Sequence, residues 1–99
     1  MKKKLLCFAL LAGLGDRVNA VTRSIGIALT SCTAPASGKP TFDIAADEME
    51  VGVGIHGEPG RRRVKLRPAA EIAAEMVHAI TADLGERARG EAILVINGF

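Results

Sequence analysis

A chain of 99 residues is long enough for one small domain and no more. Hydrophobic residues make up 48% of it and charged residues 24%, an ordinary globular balance that excludes a disordered chain. The formal charge of +2 is too small to specify a polyanion partner, and with no Trp, no Tyr and three Phe there is no stacking platform for single-stranded nucleic acid.

The chain opens with Met1-Lys2-Lys3-Lys4 and the apolar run Leu5–Ala12, which resembles the basic and apolar regions of a secretory signal, with Val18-Asn19-Ala20 as a cleavage site. The run is too short to span a membrane, which takes about 20 apolar residues. Gly15, Asp16 and Arg17 interrupt the approach to that site, and cleavage would cut through an amphipathic helix. A cytoplasmic chain with no membrane association is therefore the expectation, and export the alternative. Residues 1–13 stand as an unassigned segment ahead of a domain over 14–99. Within it, Leu14, Val18, Val21 and Ile25 form one helical stripe, and Gly26 is the predicted stop.

Gly26-Ile27-Ala28-Leu29-Thr30 predicts a short buried strand. Ser31–Pro40, with two prolines and a glycine, predicts a loop, and Phe42 and Ile44 tuck its end back onto the core. Cys7 and Cys32 make neither a disulfide framework nor a metal-ligand spacing, and Cys32 reads as a small packed thiol.

The next stretch, Glu48–Gly60, organises the rest. Met49, Val51, Val53 and Ile55 alternate with Glu50, Gly52 and Gly54, the period of a half-buried strand with a glycine-walled outer face. His56 follows at the tip, and Gly57, Pro59 and Gly60 force a turn. Arg61–Arg67 is either a contact for phosphate, since adjacent arginines offer paired donors, or a solvated basic loop; the loop is the expectation.

Pro68–Leu84 predicts a helix. Pro68 suits the first turn, Gly85 suits the end, and Ile72, Met76, Ile80 and Leu84 recur every four residues. His78 lies on it away from other ligand types and reads as a surface histidine. After a polar connector, Ala92–Ile96 predicts a strand buried on both faces, and the chain then stops at Asn97-Gly98-Phe99 as if cut in mid-domain. The element order indicates an α/β fold: a partial layered sheet with helices packed on it, a piece of a larger α/β domain, its last two strands parallel through a right-handed crossover.

His56 has three candidate roles: general base, metal ligand or nucleophile. A metal site needs more ligands than the neighbouring Glu58 supplies, and a Ser-His-Asp hydrolase needs a Gly-x-Ser-x-Gly elbow that is missing. A nucleophile and a proton carrier remain. Glu58 could hold the second ring nitrogen and fix the tautomer.

Gly15-Asp16-Arg17-Val18-Asn19, Ser24–Leu29, Cys32-Thr33-Ala34-Pro35, Gly38-Lys39-Pro40 and above all Asp47–Gly60 resemble the substrate-binding domain of dihydroxyacetone (glycerone) kinases, a likeness covering Leu14–Phe99. The resemblance implies that His56 is the catalytic residue, attacking the ketone carbon of dihydroxyacetone and holding it as a hemiaminal while a terminal hydroxyl is phosphorylated. Glu58, Gly54 and Gly57 would support it. It also implies that this chain binds no cofactor of its own. ATP with magnesium, or a phosphorylated carrier, would be held by a nucleotide-binding partner domain or subunit, and full-length members would be homo-oligomers. The family's domain is several times longer, so this chain is expected to be inactive alone. A non-enzymatic module that binds a carbonyl metabolite or a partner, and a small exported protein, are the alternatives.

Overall fold

The computed structural model describes residues 2–31, 33, 35–54 and 58–98. Its elements are helix α1 (Lys2–Ala20), strands β1 (Ile27–Ala28), β2 (Glu48–Val51) and β3 (Arg62–Lys65), helix α2 (Ala69–Leu84) and a 3-10 turn over Gly85–Ala88. The content is α/β, as the sequence predicts. Residues 24–80 form one unit, and residues 1–23 with 81–99 form the other.

In the first unit the sheet runs β1-β2-β3 and is antiparallel throughout. Ile27 faces Val51 and Ala28 faces Glu50, while Met49 faces Val64 and Glu50 faces Arg63. Residues opposite each other share a face, so Ile27, Met49, Val51, Arg62 and Val64 lie on one side. Met49 (0% exposed) and Val51 (5%) are the buried apolar side chains among the described residues. Arg62 on that face and Arg67 just after β3 both pair with Glu75 of α2, which ties the helix to the sheet. Phe42 and Ile44 are half-buried, in line with the expected return of the loop to the core.

Two expectations for β2 and β3 fail. Arg61–Arg67 is no loop: Arg62–Lys65 is a strand, because β2 brings a carboxylate for the basic residues on the outer face. Glu50 pairs with Arg63 at 2.9 Å, and Asp47, just before β2, pairs with Lys65 at 2.5 Å. Opposite-charge pairs of this kind stabilise a ladder that strand propensity alone would not form. β2 in turn ends at Val51 rather than running on through Val53, since Gly52 turns into the left-handed region at φ 85°. Its amide still donates to the Gly26 carbonyl at 2.8 Å.

Helix α2 begins one residue after Pro68, whose carbonyl accepts from Glu71 N and Ile72 N at 3.0 and 3.1 Å. Ile72, Met76, Ile80 and Leu84 are its half-buried apolar stripe, at the predicted spacing.

In the second unit, α1 starts at Lys2 and stops at Ala20, so the helix predicted over Leu14–Ile25 is displaced toward the N-terminus. The stop is set by capping. Val21 N and Thr22 Oγ1 donate to Val18 O at 3.1 and 2.6 Å, Thr22 N to Asn19 O at 3.3 Å, and Arg87 Nη1 to Ala20 O at 3.2 Å. Cations at a helix C-terminus also suit its dipole. Arg23 closes the corner by pairing with Asp83. Leu6, Phe8, Leu10 and Leu11 of α1 are exposed, as is the Cys7 thiol. Among the described residues no helix is long and apolar enough to cross a membrane.

The predicted strand Ala92–Ile96 is not formed, and no parallel pair exists among the described residues. Ile93–Ile96 are between 72% and 96% exposed. A strand apolar on both faces is held by neighbours on both sides, and this one has no ladder partner there.

Candidate functional site

The candidate site is the connection from β2 to β3, residues 52–61. His56 and Gly57, with Ile55, lie outside the described residues. Cys32 does too. What the structure fixes is the frame on either side. Gly54 N donates to Glu58 O at 3.3 Å, so the two legs of the connection are held together at those residues. Lower down, Arg61 N donates to Val51 O at 2.8 Å and starts the ladder.

The glycines expected to leave room do so, and the chain itself fills the space. The Glu58 carboxylate folds over Gly54, where a methyl group would lie 2.6 Å from its Cδ. At Gly52 a methyl would lie 3.2 Å from Arg61 Cγ. At Gly60 it would lie 2.6 Å from both Glu50 Cγ and the Val51 carbonyl. A side chain at Gly60 would meet backbone and push the legs apart.

Of the residues singled out from sequence, Gly54 and Glu58 are thus brought together, and both are exposed to solvent. His78 is exposed on α2. No group of three or more metal-ligating side chains exists among the described residues. Sequence reasoning placed Gly60 in the turn but gave Glu50 no role beside it. The signal available was the complementary pattern Glu48-x-Glu50 against Arg63-x-Lys65. Beside the frame, the Lys65 ammonium donates a hydrogen bond to Asp47 and attracts it, holding that carboxyl below its usual range; the same bond raises the Lys65 pKa.

Residues 4–99 match the Dak1 domain. The chain is 39% identical over 89 residues to the dihydroxyacetone-binding subunit DhaK of PTS-dependent dihydroxyacetone kinase 1 from Listeria innocua, covering 90% of this chain and 27% of that protein. It is 63% identical over 49 residues to the dihydroxyacetone-binding subunit DhaK of the PEP-dependent dihydroxyacetone kinase from Escherichia coli, covering 50% and 14%. Among solved structures it is similar to the dihydroxyacetone kinase operon co-activator Dha-DhaQ, with a TM-score of 0.55 at 35% identity over 66% of this chain and 20% of that one. It spans about a quarter of the length of the Listeria innocua relatives, 27% and 25% in the two matched there. With nearly every residue inside the match, the chain belongs to the Dak1 domain family.

Proposed function

We propose that this chain carries the substrate-holding segment of a dihydroxyacetone (glycerone) kinase, with His56 as the covalent anchor of the ketone. The observation that carries the proposal is the bond from Gly54 to Glu58, which holds the chain on either side of His56, in a chain whose relatives are named dihydroxyacetone-binding subunits. The unprotonated ring nitrogen of His56 adds to the ketone carbon. A C–N bond forms, the carbonyl π pair moves to oxygen, that oxygen takes up a proton, and the second ring nitrogen gives one up. Nothing is oxidised and no group leaves. Glu58, two residues on, accepts the hydrogen bond of the second ring nitrogen and raises the nucleophilicity of the first. Gly54 gives the Glu58 carboxylate its place, and Gly57 leaves room for the adduct. Only a carbonyl compound can be held in this way, so glycerol and other polyols are rejected. The phosphoryl donor, ATP with magnesium or a phosphorylated carrier, sits on a partner domain or subunit, and this chain alone holds substrate without phosphorylating it.

The test uses dihydroxyacetone labelled with 13C at its ketone carbon. On the wild-type chain the ketone resonance gives way to that of a tetrahedral carbon; His56→Ala abolishes this and His78→Ala does not. The same spectrum for wild type and His56→Ala overturns the proposal. A second reading, carbonyl binding with no kinase role, is favoured by the likeness to a protein named as an operon co-activator. It predicts an adduct that is never phosphorylated when donor-bearing partner subunits are supplied, whereas the first predicts dihydroxyacetone phosphate.

A further inference from the structure

Glu50 is the anomaly of the sheet. It is a carboxylate only 6% exposed, the one buried charged side chain among the described residues. A buried carboxylate is costly unless paired, and a well-packed apolar pair would stabilise a sheet at least as well. Glu50 Oε2 accepts from Arg63 Nε at 2.9 Å, directly across the ladder. The rest of its side chain does something an apolar cross-strand pair would not: it lies against Gly60. The α-carbon of Gly60 is close enough that an added methyl would be 2.6 Å from Glu50 Cγ and 3.1 Å from Oε1. Gly60 is where the connection returns to the sheet, one residue before the Arg61–Val51 bond.

We infer that Glu50, held by Arg63, is a positioning residue for the catalytic turn: it is the floor on which the returning leg rests, and it acts on substrate only through that leg. The return path has two other fixings, the Gly54–Glu58 bond near the tip and the Arg61–Val51 bond at the base. Between them Gly60 rests against Glu50 Cγ and the Val51 carbonyl, and Glu50 is the side-chain part of that support. The pairing with Arg63 stops the carboxylate from swinging out to water. This inference rests on the hemiaminal reading above.

The experiment measures the equilibrium constant for 13C-adduct formation alongside amide protection of Gly52 and Arg61, which reports the folded sheet. Glu50→Ala and Arg63→Met remove the floor or its tether, and Gly60→Ala forces the leg upward from the other side. Each is expected to weaken adduct formation by about tenfold or more at a temperature where both amides stay protected, since a misplacement of about 1 Å can cost up to a hundredfold. Glu50→Gln, with the same shape, recovers most of the loss. If the folded fraction of these variants forms the adduct as wild type does, the pair is structural only and the inference fails. Gly60→Ala keeps the test open should Glu50→Ala not fold. Absence of an adduct on folded wild type instead sinks the hemiaminal reading, and this inference with it.

Discussion

Met49 has no solvent exposure and faces Val64 across the ladder, so its truncation should be the most damaging single change in the sheet. Met49→Ala removes about three methylene-sized groups at ~0.8 kcal/mol each, ~2.5 kcal/mol of transfer free energy. The cavity left behind places the total within the roughly 2–5 kcal/mol seen for such truncations. An ordinary domain of this length is stabilised by only about 5–15 kcal/mol. With Met49 and Val51 its buried apolar side chains among the described residues, the sheet belongs at the low end or below. Met49→Ala is therefore expected to unfold it. Met49→Leu, near in volume, should cost less than ~1.5 kcal/mol and keep it. Hydrogen exchange reads the result at Gly52, Arg61 and Leu66, whose amides make 2.8 Å bonds at the margins of the strands. Loss of protection in Met49→Ala with retention in Met49→Leu is the expected outcome. Equal protection in wild type and Met49→Ala would show that the sheet is held by something other than this core. A sharp, cooperative melt of the wild-type chain would likewise contradict its placement at the low end.

Two further outcomes follow from the ion pairs. Glu75→Ala leaves Arg67, whose Nε is already buried without a hydrogen-bond partner, facing no carboxylate, and should cost roughly 1.5–3 kcal/mol, with Arg62 adding little because it is more than half exposed; an unchanged thermal midpoint would refute this. The Asp47–Lys65 pair should be read by titration. The Asp47 pKa is depressed, so its contribution is complete above the ordinary aspartate value of about 3.9 and is lost as pH falls through the lower folded-state value; the raised Lys65 pKa gives a contribution lost only as pH rises through the alkaline range. In Lys65→Met the Asp47 carboxyl resonance should titrate at higher pH than in wild type, and coincident curves would remove the pairing.

The parts of the fold that were legible are those written in local sequence. Helix α2 carries its period of four and a proline at its start, and both survive in the structure to within one residue. The alternation Met49, Val51 marks β2 correctly, and it fails at Gly52, where a positive φ that only glycine adopts readily ends the extended chain. Strand β3 was hidden because Val64 is its one apolar residue; what makes it a strand is the acidic strand beside it, a relation between segments 13 residues apart rather than a property of either. Ala92–Ile96 is the converse. Its composition is that of a strand, but composition supplies no partner. For the site, the sequence pointed to the turn and to Gly54 and Glu58, while the burial of Glu50 beneath Gly60 depends on the hairpin closing and could not be seen along the chain.

The exposed run Ala92–Ile96 also bears on how the chain survives in a cell. It is uncharged, free of proline and rich in β-branched residues, with Glu91 as its sole flanking charge on the near side. Segments of that kind zip between identical chains once their concentration allows. Its lifetime would then be governed by the race between self-assembly, chaperone capture and proteolysis more than by the equilibrium of its small sheet. A single lysine in place of Leu94 would tilt that race.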